Sequence, residues 1–99
     1  MSQRFLITGA PRPHATPAAM GPHMKAEIDY VWRHHESGFI REIYERGDAL
    51  GVIMVLEAAS PAEVKTFIDE LPLVKAGFLD VQFMSLKPFS MWNVLFASH

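Results

Sequence analysis

Apolar residues recur with two different periods along this chain, and the switches between them mark its elements. "RFLITG", Arg4 to Gly9, is a short apolar run suited to a strand. The "APRPHATPAAMGP" that follows is dense in proline and reads as a loop. A brief helical turn fits at Thr16-Pro17, where Thr caps and Pro takes the first helical position. From about Pro22 to Glu36 the period lengthens to that of a helix. Met24, Ile28 and Val31 form its apolar row, His35 extends it, Trp32 lies beside it, and Gly38 supplies the stop. "FIREIYERG" and "LGVIMVLEA" return to extended patterning and are joined through Gly47-Asp48-Ala49. Ser60-Pro61 opens a second helix, with Glu63 completing a capping box. Its stripe is Val64, Phe67, Ile68 and Leu71, and Pro72 ends it. The last strand runs from Phe78 to Leu86.

This order, β-α-β-β-α-β, predicts an α+β chain with a ferredoxin-like split sheet, forming one domain over residues 1–99. Two helices would cover one face of four strands. The strands are nevertheless apolar on both faces: Leu50, Val52, Met54 and Leu56 oppose Ile53 and Val55, and Leu79, Val81 and Phe83 oppose Phe78, Met84 and Leu86. Each apolar side chain left in water forgoes roughly 1.5–3 kcal/mol of burial. Face-to-face pairing of two copies is therefore expected, giving a homodimer or a higher homo-oligomer. The tail over residues 88–99, with Phe89, Met91, Trp92, Val94, Leu95 and Phe96, is too apolar for a free end and is expected at that interface. The alternative is a tail folded back on its own chain.

Composition narrows the partners. Nine basic and eleven acidic residues give a formal charge of -2, and the basic ones form no stripe, so a nucleic-acid surface is not expected. The absence of cysteine removes disulfides, thiolate nucleophiles and Cys-based metal centres, and fits a reducing compartment. The start "MSQRFLITGA" lacks the apolar core of a signal peptide, and no apolar run is long enough to span a bilayer. The expectation is a soluble cytoplasmic protein with a small-molecule substrate and no membrane partner.

Candidate chemistry centres on the first long helix. His23, Glu27, Tyr30 and His34 share a face set about 100° around from the apolar row. A carboxylate withdrawn from water at the edge of a cleft acquires a raised pKa and can shuttle a proton near neutrality. Glu27 is the candidate for that role, with His23 to relay or hold it. The plainer alternative is an exposed helix face with no chemistry. Metal binding is not expected. His23 and His34 lie about 16 Å apart along the helix, and His34 and His35 point in different directions. Only His14, folding back toward His23 or Glu27, offers a route to a metal site.

"AE..Y" at Ala26 to Tyr30, "SGFIRE" at Ser37 to Glu42, and "LPLVKAGFLDVQFMSLKPF" at Leu71 to Phe89 together resemble the muconolactone isomerase-like and YCII-related families of dimeric α/β-barrel proteins. The resemblance covers nearly the whole chain. It implies a dimer whose two sheets pack into a barrel-like core, with a cleft between sheet and helices in each subunit. It also implies proton transfer on an unsaturated lactone without metal or organic cofactor, with the carboxylate at Glu27. Arg41 matches a basic position of the second strand, Tyr44 an aromatic one, and Glu57 an acidic one in the third. The polar segment containing His14 is nearer to the YCII-related pattern.

These features converge on a cofactor-independent isomerase or lyase acting on a small unsaturated cyclic acid or lactone. Glu27 and His23 would be catalytic. His14, Tyr30, His34, Arg41 and Tyr44 would bind substrate, Arg41 by a bidentate grip on a carboxylate. Arg41 could instead pair with Glu57, and Arg46 with Asp48 at the hairpin. Trp32 and Trp92 fit the core or an interface better than a ligand site. Two alternatives stand: a cofactorless oxygenase of aromatic or polyketide-like substrates, and a non-enzymatic YCII-related small-molecule-binding protein.

Overall fold

The computed structural model describes residues 2–96, so the last three residues of the apolar tail lie outside the described residues. Its elements are β1 (Gln3–Pro11), α1 (Pro17–Glu36), β2 (Ile40–Glu45), β3 (Val52–Ala58), α2 (Pro61–Asp69), α3 (Pro72–Lys75), β4 (Leu79–Leu86), a 3-10 turn (Ser90–Trp92) and α4 (Asn93–Phe96). The four strands form one antiparallel sheet in the order β2-β3-β1-β4. The fold is therefore α+β. The sheet is open, with β2 and β4 as separate edges, and it does not close into the barrel that the family resemblance implies. Four strands are too few to close on themselves; even the small barrels need about eight.

Helix α1 starts earlier than its periodicity predicts. Thr16 caps it by accepting from the Ala19 N–H at 3.1 Å, and Pro17 takes the first position. The helix then runs through Gly21 and Pro22, so the predicted brief turn and the predicted helix are one element of 20 residues. The cap outweighs the breakers. Pro22 forgoes one intrahelical bond, but the turn before it is already anchored. Helix α2 has the expected box: Ser60 accepts from the Glu63 N–H, and Glu63 reaches back to the Ala59 N–H. Helix α2 ends at Asp69, short of Leu71, and Pro72 starts the short helix α3.

The core lies between sheet and helices. Phe5 and Ile7 of β1, Met54, Leu56 and Ala58 of β3, and Ile40 meet Val64, Phe67 and Ile68 of α2 together with Leu71. The register places Ile7 opposite Met54 and Phe5 opposite Leu56, so one face of the sheet carries the core. Helix α1 contributes a single buried residue, Glu27. Its apolar row meets this core only through Val31, which is half-buried against it; Met24 and Ile28 are exposed, as is Trp32 beside them.

The other sheet face carries Leu6 and Thr8, paired with Met84 and Gln82 of β4, and Ile53 and Val55 of β3. Beyond β4 the tail projects from the body. Phe89, Met91, Trp92, Val94, Leu95 and Phe96 are all exposed, and Phe89 meets only a tail neighbour among the aromatic rings, Trp92 at 4.9 Å. The radius of gyration is 16.2 Å, against about 13 Å for a compact chain of this length. The tail does not fold back on its own chain. Among the described residues no helix is long and apolar enough to cross a membrane.

One close approach shapes the region between β1 and the β2–β3 hairpin. A Cβ at Gly51 would lie 2.8 Å from the Gly9 carbonyl oxygen, backbone against backbone. Gly51→Ala must push the hairpin away from β1. The expected cost is about 1–3 kcal/mol, read as a lower urea midpoint with an unchanged slope; an unaltered midpoint would show that the hairpin yields freely.

Candidate functional site

Where α1 crosses the sheet without filling it, a cleft of about 680 Å³ remains, within the range of small-molecule sites. Its roof is Met20, Met24, Ile28 and Val31 of α1. Its floor is Gly9, Val52, Met54, Ile43 and Leu79 of the sheet, with Pro11, Ala15 and Pro17 at one end and the hairpin residues Arg46, Ala49, Leu50 and Gly51 at the other. The row assigned to the core thus lines the cleft, with Val31 also packing against the core. A four-stranded sheet already covered by α2 has little area left for a 20-residue helix, so its apolar stripe faces a gap.

Glu27 belongs to this wall and is 6% exposed, the sole buried charged residue among those described. Its Oε1 accepts the Leu73 N–H at 3.0 Å. Leu73 sits in the first turn of α3, where backbone donors have no intrahelical partner, and Pro72 before it has no N–H to offer. The carboxylate therefore ties α1 to α3. Its Oε2 takes no hydrogen bond from the described residues, and Glu27 lines the cleft. One oxygen is held and one is available.

Burial raises the Glu27 pKa above the ordinary 4.5, and the Leu73 bond lowers it without cancelling that effect. The folded state then binds more protons than the unfolded chain in the window from 4.5 upward. Stability falls as pH rises through that window, because the buried group must ionise. Glu27→Gln keeps an oxygen for the Leu73 N–H and removes the charge. It is expected to melt higher than wild type near about pH 8, with the gap closing toward about pH 4. Thermal unfolding across that range checks it, and a gap independent of pH would contradict the assignment.

The other predicted residues divide by location. Tyr44 lines the cleft only at its rim: it pairs across the sheet with Ile53, on the face away from α1, and its hydroxyl donates to Glu42 Oε1 at 2.7 Å. That bond raises the phenol pKa. Arg41 is not among the cleft-lining residues; it approaches Glu57 at 3.8 Å, and Arg4 shares the same carboxylate. His14 and His23 both pack on the ring of Phe78, at 5.8 and 5.6 Å, and neither lines the cleft. Among the described residues no three potential metal ligands converge.

Tyr30 and His34 turn away from Glu27 into an aromatic cluster with Phe39 and Phe67, lining a separate depression of about 380 Å³. The Tyr30 hydroxyl donates to the Phe67 carbonyl at 2.8 Å, and His34 Nδ1–H donates to the Tyr30 carbonyl at 2.8 Å. Burial pushes the Tyr30 phenol up to about 12, with the charges of Glu70 and Glu27 adding to it. Tyr30 is thereby fixed as a structural donor that joins α1 to α2.

Sequence reasoning anticipated the hairpin and its Arg46–Asp48 pair, but not that the hairpin forms one end of the cleft. Arg46 lines the cleft and forms a two-bond pair with Asp48, Nε to Oδ1 at 2.9 Å and Nη2 to Oδ2 at 2.8 Å. Glu45, opposite Val52 on the helix-facing side of the sheet, also lines it. The available signal was register: Ile43 and Glu45 share a face with Met54 and Val52.

No protein-family model matches the chain, and no curated protein matches it by sequence. Solved structures do match. One is 5-chloro-2-hydroxyhydroquinone dehydrochlorinase from Burkholderia phenoliruptrix AC1100, in complex with 2,5-dihydroxybenzoquinone. It superposes with a TM-score of 0.71 at 22% identity, covering 85% of this chain and 93% of that one. Another is muconolactone isomerase, with a TM-score of 0.73 at 16% identity, covering 88% and 91%. At such identities the likeness establishes a shared fold.

Proposed function

We propose that this protein is a small homodimeric enzyme that moves a proton on an unsaturated ring, with Glu27 as the acid–base group. The observation that carries this reading is a buried carboxylate with one oxygen fixed and the other open to an apolar cleft. In the reaction Oε2 takes a proton from a ring carbon next to a carbonyl, and the electron pair moves into the conjugated system. Isomerisation follows when Glu27 returns the proton to the far carbon of that system. Elimination follows when a leaving group departs instead with its electron pair. A raised pKa brings the carboxylate nearer in basicity to such a carbon acid. The two structural neighbours, an isomerase of a lactone and a dehydrochlorinase by name, support the reading at the level of reaction class.

The dimer rests on different ground. The exposed tail from Phe89 to Phe96 and the partly apolar outer sheet face are surfaces that a second copy would cover.

Proton transfer can be found before the substrate is known. A panel of butenolides, cyclohexenones and chlorinated hydroxyhydroquinones is incubated with the protein in deuterated water and followed by NMR. The expected result is protein-dependent loss of one ring C–H signal, or release of chloride, for at least one compound and absent with Glu27→Gln. Equal exchange by both proteins would remove Glu27 from the chemistry.

A further inference from the structure

The charges around the cleft carry a statement about its ligand. Among the described residues that line it, three are charged: Glu27, Glu45 and Arg46. Arg46 is the one cation, and Asp48 occupies both its Nε and its Nη2. Its side chain is also pinned across Gly51, where a Cβ would come within 3.2 Å of Arg46 Cδ. The guanidinium that stands at the mouth is therefore already neutralised by a partner that does not line the cleft. Arg41 of β2 approaches Glu57 and does not line the cleft. Apart from Tyr44 at the rim, whose hydroxyl donates to Glu42, the remaining side-chain wall is alkyl and thioether surface, which gives an ion little in return for its lost hydration.

We infer that the cleft selects uncharged ring compounds, and that Asp48 enforces this by locking Arg46, the cation that would otherwise accept an anionic ligand. This rests on the cleft being the site of the chemistry proposed above, and it names the substrate class for that site. A ligand carboxylate would enter beside the buried Glu27, where like charges are poorly screened, with the exposed Glu45 adding to the repulsion at the hairpin end. A ligand ammonium would meet Glu27 favourably but must be stripped of water against Met24, Ile28 and Met54. A neutral ring meets neither cost.

Three matched phenols test the inference: methyl 4-hydroxybenzoate, 4-hydroxybenzoate and tyramine, titrated into the protein at low ionic strength by calorimetry or ligand-observed NMR. The ester is expected to bind most tightly, and the carboxylate at least about tenfold more weakly. Asp48 is largely exposed, so Asp48→Ala leaves the fold intact, which a melting curve verifies. It should tighten carboxylate binding by about fivefold or more, with ester binding changed by less than about twofold. Adding Arg46→Gln to Asp48→Ala should restore the rejection.

Four results would overturn the inference: equal wild-type affinity for ester and carboxylate, tyramine binding tightest, an ester-to-carboxylate ratio unmoved by Asp48→Ala, or no binding of any of the three. All are read from binding alone. Loss of the deuterium-exchange result with the charge ratio intact would remove the catalytic reading and leave this one standing.

Discussion

Glu27→Gln is expected to lower turnover by about 10²–10⁴-fold, the usual contribution of a positioned acid–base group. The amide fills the same space and still accepts from the Leu73 N–H, so the tie between α1 and α3 survives. Only the exchangeable proton is gone. Glu27→Ala is the less informative change, because it also strands the Leu73 donor and forfeits a charged hydrogen bond worth about 1.5–3 kcal/mol. In wild type the basic form of Glu27 appears only above its raised pKa, so kcat/KM for proton abstraction should climb with pH through a limb displaced upward from 4.5. The measurement is steady-state turnover of whichever ring compound the exchange panel identifies. Undiminished kcat in the glutamine variant, with its melting curve normal, would sink the acid–base role.

Ending the chain at Pro88 is expected to convert the protein from dimer to monomer. Six large apolar side chains of the described tail stand exposed, from Phe89 to Phe96. At roughly 1.5–3 kcal/mol each, their burial against a second copy supplies on the order of 10 kcal/mol. Association costs about 4–15 kcal/mol in lost freedom, so the tail is large enough to decide the outcome. Light scattering on the eluting peak gives the mass directly. A monomeric full-length chain, or a truncated chain that stays dimeric, would refute the assignment. The core should survive truncation, since none of its buried residues lies beyond Leu73.

What the sequence disclosed followed its local rules. The Ser60-Pro61-Glu63 cap, the alternation in β3 and the stripe of α2 are short-range patterns, and each became the element it predicted. Glu27 was legible too, as the acid on a polar helix row, and it is the member of that row that lines the cleft. Its neighbours were not. Tyr30 and His34 share its helix face at the resolution of turns, yet both rings pack on Phe67 of α2, where the Tyr30 hydroxyl meets the Phe67 carbonyl and His34 bonds the Tyr30 carbonyl of its own helix. Helical spacing fixes direction around one axis; it does not say which neighbour occupies that direction. The same limit misplaced Met24 and Ile28, whose apolar period is equally good for a core and for a dry cleft, while Val31 touches both. Arg41 and Arg46 differ for another reason. A bulge between Ile40 and Glu42 shifts the register of β2, and simple alternation cannot anticipate it.

The single hydrogen bond from Leu73 to Glu27 has a stereochemical consequence. It fixes one oxygen, so the other presents its lone pairs to the cleft from the α1 side. A flat ring lying between helix and sheet meets the base on one of its two faces. Under the proposed chemistry, a proton lifted by Oε2 and returned by it leaves and arrives on that same face. The handedness of the product would then be written by the orientation of one carboxylate, and that orientation by one peptide N–H forty-six residues further along the chain.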